Sequence, residues 1–359
     1  MLSASTALLA DLDTGEIFLS KASGARRPIA SVTKVMTALV VLERADLRDV
    51  VKVSAGAVLS RNEYGVGSTL GLRAGERLSV RDLLHGALLG SANDAARALA
   101  IHVAGDEPAF VDLMNRRAHS LEMRDTRFAS ATGLDDRGRS TADDLLILAR
   151  AAVDVPGFAT IMETRAHEIP GPGAKDRRIQ NRNVLLWLYP GATGMKTGFT
   201  PGAGFCLIGT AERDGRHLIA IVLRAPTEAF SDAAALLDYG FEGFAQRTLV
   251  TAGEALGRVR LRGGSVPVVA GDSLEALVPT QDIGAIRFRR DVDPRAVYPP
   301  VAGEVVGAYR AVLAGLDIGS VPLVVAQVPD PPDPGEAPWW VRAASAVAGA
   351  VGSAVSALF

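Results

Sequence analysis

Three short strings in a fixed order constrain this 359-residue chain more than anything else in it: Ser31-Val-Thr-Lys34, Ser91-Ala-Asn93 and Lys196-Thr-Gly198. Singly, each has an ordinary explanation. Ser-x-x-Lys can be a helix cap with a solvated lysine one turn on. Ser-Ala-Asn can be a loop that caps the next helix, and Lys-Thr-Gly an edge strand guarded by its lysine. Lysine usage argues against coincidence. The chain has 38 basic residues but only five lysines (21, 34, 52, 175 and 196), and two of the five fall inside these strings. Arginine cannot stand in where chemistry needs an amine that sheds its proton. A fold that uses all three strings must bring positions 31, 91 and 196 to one groove.

Size and charge exclude little but are consistent. A chain of this length buries a full core and suggests two or three domains. The net charge of −2 does not point to a nucleic acid or another polyanion. The single cysteine, Cys206, rules out an internal disulfide and reads as a small buried hydrophobe. The five histidines show no metal-ligand spacing, so no metal and no cofactor are expected. No basic and apolar leader precedes Thr6. The chain is therefore expected either to be cytoplasmic or to have lost a signal peptide, and the motifs favour the second.

Residues 5–20 read as a hairpin turning at Asp13-Thr-Gly15, followed by a helix over about 31–45. Leu78–Gly105 looks helical, opens on the cap Ser79-x-x-Asp82, and breaks at Gly90-Ser91. Residues 106–165 are expected to continue helical apart from a loop at Thr132–Asp135, and Pro170–Gly173 to form a loop. Gly204–Thr210 and Leu218–Leu223 flank an Arg213-Asp-Gly215 turn, and a helix at about 227–244 closes the region. Strands at both ends with helices between them imply an α+β domain over 1–246. Its antiparallel sheet is assembled from the two chain ends, with a helical lobe inserted. Residues 247–328 read as a small β-rich domain, and 329–338 as a stiff proline-rich linker. Residues 339–359 would span about 31 Å as a helix. With Trp339-Trp340 at its start and Ser345, Gly349, Ser353 and Ser356 on one side, this segment is expected to anchor in a membrane, lying in the interface or spanning it.

A serine hydroxyl is a poor nucleophile until a base takes its proton. Ser31 sits at the expected start of a helix with Lys34 one turn later on the same face, within reach of the hydroxyl. Burial and a second cation, Lys196, would lower the Lys34 pKa so that it can act as a base. Ser91 can relay a proton to a leaving amine, and Asn93 can hold a substrate amide. Lys196 and Thr197, placed at a strand entrance, offer a cation and a hydroxyl to a terminal carboxylate. Gly198 lets a substrate backbone lie along that strand.

With these residues in hand, the chain resembles the serine D-alanyl-D-alanine carboxypeptidases, the low-molecular-mass penicillin-binding proteins of the S11-like peptidase family. The resemblance extends over Pro28–Thr37, Leu88–Ala95, Thr132–Asp135, Asn181–Asn183, the C-terminal β domain and the terminal anchor. It implies a β-lactamase/transpeptidase-like domain with a five-stranded antiparallel sheet. It also implies removal of the terminal D-alanine from peptidoglycan stem peptides, inhibition by β-lactam antibiotics, and a place on the outer face of the bacterial cytoplasmic membrane. In that frame Ser31 is acylated, Lys34 is its base, Ser91 relays protons, Asn93 holds substrate, and Lys196 with Thr197 binds the carboxylate. The backbone N–H groups of Ser31 and Phe199 form the oxyanion hole, beside Gly198. Thr200 adds a carboxylate contact, Arg182 supports the surroundings of Lys196, and Asp135 orders the active-site loop. One departure stands out: many relatives carry His where this chain has Phe199, which changes polarity at the rim.

A class A-like β-lactamase shares the three strings, but it needs a glutamate between the second and third for deacylation. No Glu occurs between Glu122 and Glu163, and no Glu-x-x-Leu-Asn-like string is present. A non-hydrolytic penicillin sensor or scaffold would retain the strings without releasing D-alanine, and a cytoplasmic serine esterase would form no penicillin adduct.

Overall fold

The computed structural model describes residues 2–59, 67–171, 176–227 and 229–326. The chain divides after Gly243 into two compact units.

The first unit is organised by five antiparallel strands in the order β2-β1-β9-β8-β7. Two come from the start of the chain: β1 (Thr6–Asp11) and β2 (Ile17–Lys21). Three come from the end of the unit: β7 (Ala192–Thr200), β8 (Gly204–Arg213) and β9 (Arg216–Ala225). β1 joins the two ends by pairing with β9, Thr6 opposite Leu223 through Asp11 opposite Leu218. The apolar run of β1 is buried on both faces. Leu8 and Ala10 enter one core, while Ala7 and Leu9 enter a second core beneath α8 (Phe230–Gly243). Continuous apolar strands are what a sheet covered on both sides requires. The inserted residues make α1 (Lys34–Leu42), the short pair β3 (Val50–Lys52) and β4 (Arg77–Ser79), α2 (Val80–Leu88), α3 (Asn93–Ala104), α4 (Glu107–Ser120), α5 (Ala142–Val153), α6 (Phe158–Glu163), the pair β5 (Ala166–Ile169) and β6 (Arg177–Gln180), and α7 (Leu185–Leu188).

α1 is buried from Lys34 through Val41, as expected of a helix apolar on every side. Truncating Leu39 at its centre to Ala would cost about 2–5 kcal/mol. The Ser79 cap forms as read: its hydroxyl accepts from Asp82 N–H at 3.0 Å and donates to Asp82 Oδ2 at 2.6 Å.

The break in the helical run over 106–165 is wider than the loop expected at Thr132–Asp135. α4 ends at Ser120, and α5 starts only at Ala142, on a Thr141 cap. Between them Gly133, at φ +78, and a turn at Asp135–Gly138 break the helical pattern. The strand pairs β3–β4 and β5–β6 were not foreseen; each is only three or four residues per strand, too short for a periodic signal. Residues 172 and 173 of the Pro170–Gly173 loop lie outside the described residues.

The second unit opens with β10 (Phe244–Val250), which follows α8 directly, three residues before the boundary expected at 247. β10 pairs with β13 (Leu274–Pro279). A five-stranded antiparallel sheet runs in the order β11 (Ala255–Leu261), β12 (Gly264–Ala270), β16 (Leu316–Val325), β15 (Val305–Leu313), β14 (Arg287–Val292). Its core is β-branched and leucine-rich: Val259, Val266, Val268, Val306, Val321 and Leu323 are all buried. The expected linker at 329–338 and anchor at 339–359 lie outside the described residues. Among the described residues no helix is long and apolar enough to cross a membrane.

Candidate active site

A groove of about 500 Å³ in the first unit is lined by Ser31, Ser91, Asn93, Arg182, Thr197 and Phe199, among others. Ser31 lies on a 3-10 turn, Ala30–Thr33, that feeds straight into α1. Ser91 occupies the break between α2 and α3 in the left-handed region, φ +59, and Asn93 is the first residue of α3. Lys196, Thr197, Gly198 and Phe199 lie on β7, at the edge of the sheet.

The helix break, the 3-10 turn and the edge strand bring the motif side chains together. Lys34 Nζ, on a fully buried side chain, stands 2.9 Å from Ser31 Oγ, 2.8 Å from Asn93 Oδ1 and 2.7 Å from the Thr132 carbonyl oxygen. The last two partners are acceptors only. A neutral amine has two hydrogens and one lone pair, so Asn93 and Thr132 take both hydrogens and leave the lone pair for the Ser31 hydroxyl. Burial, then the charges of Lys196 and Arg182, hold the Lys34 amine well below the usual lysine range. Lys196 Nζ donates to Ser91 Oγ at 3.2 Å and to the Thr197 carbonyl at 2.9 Å. Burial and the Arg182 charge push its pKa down to about 7. A chain of polar groups therefore runs from Ser31 through Lys34 to Asn93, with Ser91 and Lys196 beside it.

The remaining expected residues sort themselves by contact. An ideal Cβ on Gly198 would lie 3.0 Å from Ile29 O and from Ser31 N, so a side chain there would push β7 and the Ser31 turn apart. β7 has no strand partner on its outer side among the described residues, leaving backbone N–H and C=O groups for an added strand. Phe199 is half exposed at the rim and packs on Phe205, ring centroids 4.5 Å apart. Arg182 lines the groove, its backbone N–H held by the Leu89 carbonyl at 3.1 Å, and acts on both lysines through its charge. Cys206 is buried with its thiol pushed up to about 11, which fits packing rather than nucleophilic chemistry.

Two expectations need correction. Lys196 and Thr197 do not stand at a strand entrance: β7 starts at Ala192, and Lys196 is at its middle. Thr200 does not offer its hydroxyl to the groove. It is buried, accepts from Ala203 N–H at 3.0 Å and donates to Asp136 at 2.7 Å. Asp135 faces its own turn, taking the Arg137 backbone N–H and guanidinium at 2.6–3.0 Å.

Sequence reasoning missed Thr132, whose backbone oxygen carries no sequence signal, and Asp94. The buried Asp94 carboxylate accepts from Leu70 N–H, Leu72 N–H and Ala95 N–H at 2.9–3.0 Å and from the Thr69 hydroxyl. It thereby pins the segment carrying Gly67 and Ser68, two further lining residues, against α3. An aspartate early in a helix reads as a dipole partner, and its non-local donors are invisible in the sequence.

The D-alanyl-D-alanine carboxypeptidase family model matches residues 1–227. The D-alanyl-D-alanine carboxypeptidase DacF of Bacillus subtilis is 31% identical over 265 residues, 73% of this chain and 68% of that protein. DacD of Escherichia coli K12 is 34% identical over 309 residues, 82% and 78% of the two chains. Among solved structures, DacD from Francisella tularensis superposes with a TM-score of 0.73 at 26% identity, covering 91% of this chain and 94% of that one. Penicillin binding protein 6B from Escherichia coli gives 0.70 at 31% identity, covering 90% and 96%.

Proposed function

The chain belongs to the D-alanyl-D-alanine carboxypeptidase family and is a serine-type hydrolase of that class; we propose that Ser31 carries its acyl-enzyme. The substrate is a peptidoglycan stem peptide ending in D-Ala-D-Ala, laid antiparallel along the open edge of β7. Lys196 and Thr197 receive its carboxylate. Lys34 takes the Ser31 proton as the hydroxyl oxygen attacks the penultimate carbonyl. The oxyanion forms against the N–H groups of Ser31 and Phe199. As the carbon–nitrogen bond breaks, Lys34 returns a proton through Ser91 to the leaving amine, and D-alanine departs. Water, deprotonated by Lys34, then attacks the ester, releasing the trimmed peptide and restoring Ser31. β-Lactams enter the same cycle but leave an ester that hydrolyses slowly. The chain works outside the cytoplasm, and residues 339–359 attach it to the outer face of the membrane.

The observation that carries this reading is the Lys34 amine, 2.9 Å from Ser31 Oγ with two fixed acceptors on its hydrogens. The test is fluorescent-penicillin labelling of the wild type and Ser31→Ala, paired with a D-alanine release assay. Stable labelling and D-alanine release in the wild type, both lost in the variant, are expected. Labelling that persists in Ser31→Ala, or rapid hydrolysis of penicillin by the wild type, would contradict it.

A further inference from the structure

Asp136 does not line the catalytic groove, yet the loop that carries it touches both sides of the groove. At one end the Thr132 carbonyl accepts from Lys34 Nζ at 2.7 Å. Next, Gly133, at φ +78, packs on the Ala30 carbonyl, where any Cβ would collide with the backbone just before Ser31. At the other end Asp136 Oδ1 accepts from the Thr200 hydroxyl at 2.7 Å, and that hydroxyl in turn accepts from Ala203 N–H at 3.0 Å. Asp136 also packs against Gly202, where a Cβ would meet the carboxylate. The five residues from Thr132 to Asp136 thus hold the base, the turn of the nucleophile and the last residue of β7. Thr200 directly follows Phe199, whose N–H faces the developing oxyanion in the reading above.

We propose that Asp136 is a positioning residue. Through the Thr200 hydroxyl it fixes the Phe199 N–H relative to the Lys34 amine, so that proton removal and oxyanion capture occur in one geometry. The consequence lies in the acylation step rather than in capture of the ligand, because Lys196 and Thr197 precede the latched residue and keep their own contacts. Small misplacements of reacting groups are costly in rate while leaving encounter unchanged.

This inference rests on acylation of Ser31, and the test separates the two. Acylation by penicillin is followed by stopped-flow in the full chain, resolving the non-covalent affinity from the maximal acylation rate. The variants are Asp136→Ala, Thr200→Val, their double, and Thr200→Ser. Each single loss is expected to slow acylation about tenfold with affinity unchanged. The double variant should be no slower than either single, and Thr200→Ser, which keeps the hydroxyl, should restore the rate. Losses that multiply in the double variant, a Thr200→Ser as slow as Thr200→Val, or a defect carried by affinity would overturn the proposal. Should Asp136→Ala fail to fold, the near-isosteric Thr200→Val and Thr200→Ser pair retains the contrast. Absence of labelling in the wild type would instead refute the acyl-enzyme itself.

Discussion

Both units carry arginine–carboxylate pairs near the surface, Arg26 with Asp125 in the first among them, but only the first unit holds lysines, and it buries two of them. In the second, three arginines near the surface are matched to carboxylates. Arg289 pairs with Asp291 at 2.7 Å, Arg295 with Asp293 at 3.0 Å, and Arg310 with Asp291 and Asp317 at 2.8 and 2.6 Å. Such exposed pairs are screened by solvent and add little to stability. In the first unit, Lys34 and Lys196 are buried to 0% and 1% exposure, and neither makes an ion pair among the described residues. They lie close enough that the Lys196 charge depresses the Lys34 pKa. Burying charge without a counterion opposes folding, so a pair held this way is explained by chemistry rather than by stability. Carboxylate partners raise the Arg295 and Arg310 pKa values above the ordinary arginine value, whereas burial holds both lysines where a proton can leave.

Removing the Lys34 amine should break this contrast most visibly. Lys34→Met is expected to lower the rate of penicillin acylation about 10²–10⁴-fold, measured by single-turnover labelling. It should do so without loss of the folded circular-dichroism spectrum, since the variant also removes a buried amine. Lys196→Met should weaken capture of a C-terminal carboxylate about 10–150-fold, read as a raised KM for D-alanine release.

The same variant sharpens the comparison through stability. Lys196 titrates at about 7 when folded and near the ordinary lysine value when unfolded. Between these values the unfolded chain binds more protons, so wild-type stability gains from rising pH, and below about 7 the full cost is present. Thermal unfolding should therefore show Lys196→Met above the wild type at pH 6, with the gap closing toward pH 9. Each kcal/mol is worth about 2–4 °C in a domain of this size. A gap that widens with pH would contradict the burial argument. The smallest effect is expected at the surface: Arg310→Ala should leave acylation and the unfolding transition where they were, checked by the same two assays.

The sequence carried the groove better than its frame. Ser31, Lys34, Ser91, Asn93 and Lys196 were legible because their chemistry is tied to residue type, and lysine scarcity made two of them conspicuous. β1, β8, β9 and α8 were legible because long apolar runs bounded by turns reflect two-sided burial. What stayed hidden acts through the backbone or across long separations. The Thr132 carbonyl holds the Lys34 amine, yet any residue has a carbonyl. Asp94 gathers donors from residues 69–72, and Asp136 rather than Asp135 reaches Thr200. Neighbouring aspartates in one loop are equivalent until the chain fixes which faces inward. The β3–β4 and β5–β6 pairs are too short to stand out from turns.

With only five lysines in the chain, the amine of Lys34 can be followed directly by ¹⁵N-resolved titration of the intact protein, assigned by comparison with Lys34→Met. The account predicts a resonance that titrates well below the usual lysine range, and that moves upward when Lys196→Met removes the neighbouring cation. A Lys34 amine titrating with the exposed lysines, indifferent to residue 196, would contradict it.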